Sequence, residues 1–215
     1  MPGYRLFACK GTGSMIVEAA AALAGIALEV TYIPWENTGW ESAELHALNP
    51  TGQTPTLILP DGRVMTESAA IILHFADLAP AAKLAPAGDD PLRPDFLRWL
   101  IFLVAAIYPT FTYGDRPERW LPGHAEAGKA LTKANLAHRK KLFRAMEAAA
   151  QAPFFLGKRM SVVDLYIWAM SYWRPRDIWF RMHTPKLFAI AERVGALVKI
   201  RTVAARNGLS RQGGT

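Results

Sequence analysis

Two short polar stretches carry residue types suited to ligand chemistry. One is Glu67-Ser68, at the start of an apolar run, Ala69-Ala70-Ile71-Ile72-Leu73. A helix beginning there would direct free N–H groups and the positive end of its dipole outward, which favours anions. The Ser68 hydroxyl adds a donor and the Glu67 carboxylate an acceptor. Such a pair suits the carboxylate and ammonium at the zwitterionic end of an amino acid. The plainer alternative is that Thr66, Glu67 or Ser68 merely caps the helix. The other stretch is Gln53-Thr54-Pro55-Thr56. Proline just before a strand has no N–H for the ladder, so it belongs at a strand start or edge. A cis Thr54–Pro55 peptide would turn the Thr54 main chain outward, to pair with an extended peptide-like ligand as an added strand does. The residues alone favour trans, because only about 5–6% of X–Pro bonds are cis. A third motif, Ser161-Val162-Val163-Asp164, has the form of a capping box before an apolar run. Its role is structural.

The chain that must position these residues has 215 of them, 51% hydrophobic and 20% charged, an ordinary globular balance. That length supports one large domain or two smaller ones. The sequence enters a strand pattern with no long apolar segment before it, so no secretory leader is expected. The most apolar stretch, residues 99–113, is interrupted by Pro109 and reads as too short to span a bilayer. No membrane partner is expected. The single cysteine, Cys9, excludes an internal disulfide, a two-thiol redox motif and a cysteine-rich zinc site. A cytoplasmic location is the resulting expectation. The five histidines are scattered, so no metal is expected, and no glycine-rich phosphate loop is present. The net charge of +7 attracts anions in general. Its densest cluster, His138-Arg139-Lys140-Lys141 with Arg144, reads as the solvated face of a helix, and no nucleic-acid partner is expected.

Taken in order, residues 4–9 read as a strand, and Lys10-Gly11-Thr12-Gly13 as a loop. Ser14 is placed to cap a helix that ends at Gly25. The capping box is imperfect, because Val17 stands where Glu or Gln is wanted and Glu18 comes one place late. Residues 28–33 read as a second strand, which makes a right-handed crossover and a parallel pair. An irregular stretch with Trp35 and Trp40 leads to a short helix at 42–48. Strands at 56–59 and 63–65 flank the turn Pro60-Asp61-Gly62. The order β-α-β-α-β-β-α gives a mixed four-stranded sheet in residues 1–80. Prolines 80, 86, 91 and 94 mark a linker over 81–94. Residues 95–215 read as all helical. A helix carries Phe96, Trp99, Leu100, Leu103 and Ile107. A loop covers 114–123, and helices are predicted at 125–151, from 161 to 170, and as two over 185–207 split near Gly195. Residues 210–215 read as frayed.

The motifs in this order, Asn49-Pro50-Thr51-Gly52-Gln53-Thr54-Pro55-Thr56-Leu57, then Asp61-Gly62, then Glu67-Ser68-Ala69-Ala70-Ile71, then a helical region with Ser161-Val162-Val163-Asp164, resemble a soluble bacterial glutathione S-transferase over nearly the whole chain. The resemblance implies a thioredoxin-like first domain and a helical second one. It implies a cis peptide before Pro55 and main-chain pairing of Thr54 with the cysteinyl part of glutathione. Gln53, Thr54, Pro55, Glu67 and Ser68 become the glutathione-binding set, with the last two at the γ-glutamyl end. In such enzymes a Tyr, Ser or Cys near the start of the first helix holds the sulfur as thiolate, the nucleophilic form. A gapless match to the cysteine-using class puts Gly13 at that position. Ser14 is the first candidate and Thr12 the second; Cys9 reads as a buried small hydrophobe, and Tyr4 is set aside. The electrophile site is expected between the domains, with Tyr108, Phe111, Tyr113 and Trp173 as candidate aromatics that would equally suit core packing. The implied function is conjugation of glutathione, as co-substrate, to an apolar electrophile by a cytoplasmic homodimer of the detoxification kind. The alternatives are glutathione-dependent lyase, isomerase or dehalogenase chemistry on the same site, or a non-catalytic binding protein.

Overall fold

The computed structural model describes residues 3–35 and 42–209. The sheet has the order β2-β1-β3-β4. β1 (Tyr4–Ala8) runs parallel to β2 (Leu28–Tyr32), with Tyr4 opposite Leu28 and Ala8 opposite Tyr32. α1 (Ser14–Ala24) makes the crossover and ends at Gly25 in left-handed backbone. α2 (Ala43–Leu48) follows, capped by Ser42, whose hydroxyl accepts the Leu45 N–H at 3.2 Å. β3 (Thr56–Ile58) pairs antiparallel with β1 on one side and with β4 (Val64–Met65) on the other. The hairpin turn is fixed by Asp61, which accepts the Arg63 N–H at 3.0 Å. α3 (Ser68–Leu78) comes next and packs against α1. Side chains alternate across β1. Phe7 joins Ile33, Leu45 and Ile58 in one apolar cluster, and Leu6 and Ala8 are buried on the opposite face. A mixed four-stranded sheet with helices, thioredoxin-like, therefore precedes a mostly helical part, as the sequence predicts.

Two compact units result: Met1–Ala85 with Arg193–Thr215, and Pro86–Glu192. The cut departs from chain order, because α10 (Val198–Arg206) joins the first unit, with Ile200 and Val203 buried and its body against α1. Trp40 and the predicted fraying of 210–215 lie outside the described residues.

In the second unit, α4 (Arg93–Phe102), a π-helical turn (Leu103–Ile107) and α5 (Tyr108–Asp115) run on without a break. The interruption expected at Pro109 does not occur. Proline has no N–H for the carbonyl four residues back, and its ring collides with it. The wider π turn just before Pro109 re-spaces those carbonyls. The helix Arg93–Asp115 is thus 23 residues and, by length and composition alone, sufficient to cross a membrane, contrary to the sequence expectation. Within the unit, its Phe96, Trp99, Leu100, Leu103 and Ile107 are buried. α6 (Ala125–Ala149), α7 (Val162–Met170), α8 (Arg176–His183) and α9 (Pro185–Gly195) follow. α8 is unanticipated: Ile178 and Met182, 69% and 71% exposed, spoil the one-sided pattern by which helices are read.

Arg139 also departs from expectation. Instead of facing solvent it is buried beneath α5. Its Nε donates to the Thr110 hydroxyl at 2.9 Å, one terminal nitrogen to the Thr110 carbonyl at 2.6 Å, and the other to the Arg174 carbonyl at 2.8 Å. The guanidinium lies 3.5 Å from the centroid of the Phe111 ring. The capping box at α7 forms as predicted. The Asp164 carboxylate accepts the Ser161 N–H and the Phe155 N–H, each at 2.7 Å. Removing the cap by Ser161→Ala should lower unfolding free energy by about 1–2 kcal/mol. Arg139→Met should cost more, about 3 kcal/mol or above, because it strands buried carbonyls. Urea unfolding of both variants checks the order.

Candidate functional site

β1 ends where its neighbours end, so the next peptide, Cys9, needs partners from elsewhere. Ser14 supplies them. Its hydroxyl accepts the Cys9 N–H at 3.0 Å and donates to the Cys9 carbonyl at 2.8 Å. Thr12 donates to the same carbonyl at 2.8 Å through its hydroxyl and at 3.3 Å through its N–H. The two hydroxyl oxygens are 3.2 Å apart. Ser14 is fully buried, whereas Thr12 is partly exposed. Ser14 does not cap α1 as its sequence position suggests: Gly13 holds the cap position, and Ser14 is the first helical residue. Cys9 is buried, as expected of a small hydrophobe. The Tyr4 ring packs edge-on against Phe75 of α3.

The segment before β3 is built around Asn49. Its amide donates to the Gln53 carbonyl and to the Thr56 hydroxyl, each at 3.1 Å. Its carbonyl oxygen accepts the Thr51 N–H at 3.2 Å and the Thr51 hydroxyl at 2.8 Å. Thr56 closes the turn by donating to the Gln53 carbonyl at 2.8 Å. Gln53 is exposed, Thr54 half-buried and Pro55 buried. The Thr54–Pro55 peptide is cis, as the resemblance implies. Glu67 is exposed and precedes α3 with φ +64°, a left-handed conformation that a non-glycine residue adopts at a cost of roughly 1–3 kcal/mol. Ser68 opens the helix.

Strand register brings these pieces to one end of the sheet. Phe7 pairs with Thr56, and Leu57 pairs with Met65. Continued by two residues, the first pairing sets Cys9 across from Thr54, and the second sets Pro55 across from Glu67. The loop after β1, the cis-proline segment and the start of α3 thus share an edge, with helix N-termini supplying positive potential there.

In the second unit, Tyr108, Phe111 and Trp173 form a mutual edge-to-face cluster, with Trp173 centroids 5.8 Å from Tyr108 and 5.1 Å from Phe111. Tyr113 is not part of it: it is exposed and meets Trp120 edge-on, with ring centroids 4.8 Å apart. Among the described residues, no group of three or more His, Cys, Asp or Glu could hold a metal ion.

Sequence reasoning missed Asn49, Glu18 and Asn207. Asn49 stands in the sequence as one letter of a motif, although an Asn side chain that can bond the main chain two residues on is a recognisable turn signal. Glu18 is buried, accepting from the Tyr32 hydroxyl at 2.8 Å and the Asn207 amide at 2.9 Å. Burial and then the Glu18 carboxylate push the Tyr32 phenol well above its ordinary range, so it stays a donor. Asn207 in turn accepts the Gly11 N–H at 3.1 Å. No local signal in the sequence joins residues so far apart.

A family profile described as Glutathione S-transferase, N-terminal domain, matches residues 14–78. The Uncharacterized GST-like protein YncG of Escherichia coli (strain K12) is 36% identical over 205 residues, covering 94% of this chain and 98% of its own. Glutathione S-transferase GstA of Escherichia coli O157:H7 is 31% identical over 127 residues, 59% of this chain and 60% of its own. Among solved structures, a glutathione transferase from Methylococcus capsulatus superposes with a TM-score of 0.76 at 26% identity, covering 95% of this chain and 98% of that one. A Sulfitobacter glutathione transferase homologue, solved with bound glutathione, superposes with a TM-score of 0.87 at 21% identity over 97% of this chain and all of its own, a likeness of fold. With a relative this similar along nearly its full length, the chain belongs to the glutathione S-transferase family.

Proposed function

We propose that the protein binds glutathione at the shared sheet edge and conjugates its sulfur to an apolar electrophile. The observation that carries this reading is the register-driven meeting of the β1 loop, Thr54–Pro55 and Glu67-Ser68. In it, the Thr54 main chain pairs with the cysteinyl residue. Gln53, Glu67 and Ser68 receive the charged γ-glutamyl end. The thiol proton leaves to solvent, the thiolate forms a bond to the electrophilic carbon, and the leaving group departs with its electron pair.

Thr12, ahead of Ser14, is the hydroxyl proposed beside the sulfur. Ser14 is fully buried and bonded to both polar atoms of the Cys9 peptide. The Thr12 hydrogen can rotate toward a thiolate, because the Cys9 carbonyl keeps the Ser14 hydroxyl and the Thr12 N–H. A hydrogen bond to a charged partner contributes about 1.5–3 kcal/mol, roughly tenfold to a hundredfold in rate.

Isothermal titration should show saturable glutathione binding below millimolar concentration; no heat at that concentration would overturn the reading. With a chlorinated nitroarene as electrophile, Thr12→Ala should lower kcat/KM by about tenfold to a hundredfold and raise the apparent pKa of the bound thiol. Ser14→Ala should act chiefly on stability. Unchanged rates in both variants would point to a non-catalytic glutathione-binding protein.

We also propose a homodimer. Leu78 on α3, and separately Leu97 and Ile101 on α4, are large apolar side chains left exposed in the single chain. Sedimentation should find a species of twice the chain mass; a monomer at all concentrations would contradict it.

A further inference from the structure

We propose that Asn207 is a positioning residue that latches the Lys10–Gly13 loop to the end of α10, with Glu18 setting the direction of the Asn207 amide. This rests on the reading of that loop as the place where the sulfur lies. Gly11 has φ +71°, and its N–H donates to Asn207 Oδ1 at 3.1 Å. The side-chain nitrogen of Asn207 donates to Glu18 Oε1 at 2.9 Å and to the Val203 carbonyl at 3.1 Å. Both of those partners are acceptors only, so the nitrogen must face them and Oδ1 must face Gly11. Glu18 is itself held from the other side by the Tyr32 hydroxyl at 2.8 Å, with the Arg206 guanidinium 3.6 Å away.

Asn207 is fixed at its own end as well. The Gly208 N–H donates to the Ala205 carbonyl at 3.1 Å and the Leu209 N–H to the Ala204 carbonyl at 2.9 Å, with Gly208 at φ +68°. That is the paired closure of a helix by a left-handed residue. Asn207 and Glu18 are both nearly sealed from solvent, so water does not compete for these bonds. The chain of contacts from Tyr32 through Glu18 and Asn207 to Gly11 ends one residue before Thr12. It fixes the Lys10–Gly11 peptide, while Thr12 itself is tied by its N–H and hydroxyl to the Cys9 carbonyl.

A mere brace between α10 and α1 would change stability and little else. A latch predicts a selective effect on the loop. In Asn207→Ala, amide hydrogen exchange at Gly11 and its neighbours should speed by tenfold or more while the β1 and β3 amides keep their protection. Its kcat should fall about tenfold, with glutathione affinity kept within about threefold. Glu18→Ala should give the same loop pattern, and the double variant should be no worse than either single, because each cuts the same chain of bonds. Unchanged Gly11 exchange, or strictly additive losses, would overturn the latch. Should Asn207→Ala fail to fold, Asn207→Asp serves: it keeps the acceptor for Gly11 but opposes a carboxylate to Glu18. Its loop should loosen at neutral pH and tighten in mild acid as the pair shares a proton. The groups facing that pair are Tyr32 from β2, Arg206 from α10 and Lys10, which lies over the Tyr32 ring. A pH-independent loop in that variant would also overturn the proposal. Wild-type protein without glutathione affinity would remove the sulfur reading, and the exchange data would still decide the latch.

Discussion

The structure of the first unit depends on how one peptide is satisfied. β1 is paired with β2 up to Ala8 and with β3 up to Phe7. Cys9 is the first residue beyond that ladder and is still buried. A buried peptide without hydrogen bonds costs several kcal/mol, so side chains must complete what the strands leave undone. Ser14 bridges both polar atoms and Thr12 reinforces the carbonyl. The need to satisfy that peptide draws the loop back on itself and starts α1 at Ser14. It also brings the partly exposed Thr12 to the edge where the cis-proline segment and α3 begin.

The second unit solves a comparable problem with charge. Thr110 and Arg174 each present a main-chain carbonyl that Arg139 satisfies from a single planar guanidinium. The same group lies over Phe111. A lysine could not make these bonds in several directions at once. The aromatic cluster of Tyr108, Phe111 and Trp173 is therefore held by a cation beneath it as well as by its own edge-to-face contacts.

Much of this was legible in the residues. Alternation and breakers located the four strands and the turn at Asp61-Gly62, and Ser161 and Asp164 located α7. The motif order led to the family. What failed was whatever depends on distant partners. His138 to Arg144 looks like a solvated stripe, and nothing local reveals that Arg139 turns inward to α5. Pro109 looks like a stop, because the π turn that admits it has no sequence signature. α8 carries apolar residues on two faces, so its period is hidden. In the candidate site, the residue types at 53–55 and 67–68 and their convergence follow from local pattern plus register. The burial of Ser14 and the tie to Asn207 do not: both are set by tertiary packing, the second across 196 positions of sequence.

The membership of α10 in the first unit bears on how the chain is made. Translation delivers β1, its loop and α1 early, then all of the second unit, and only afterwards the helix that bears Asn207. Until that helix leaves the ribosome, Asn207 is not there to join Glu18 to Gly11, and α1 lacks the apolar cover of Ile200 and Val203. A domain that is contiguous in space but split in sequence cannot be finished in the order it is synthesised. The loop thus stays incomplete while the second unit is being made, and closes only after α10 has followed it.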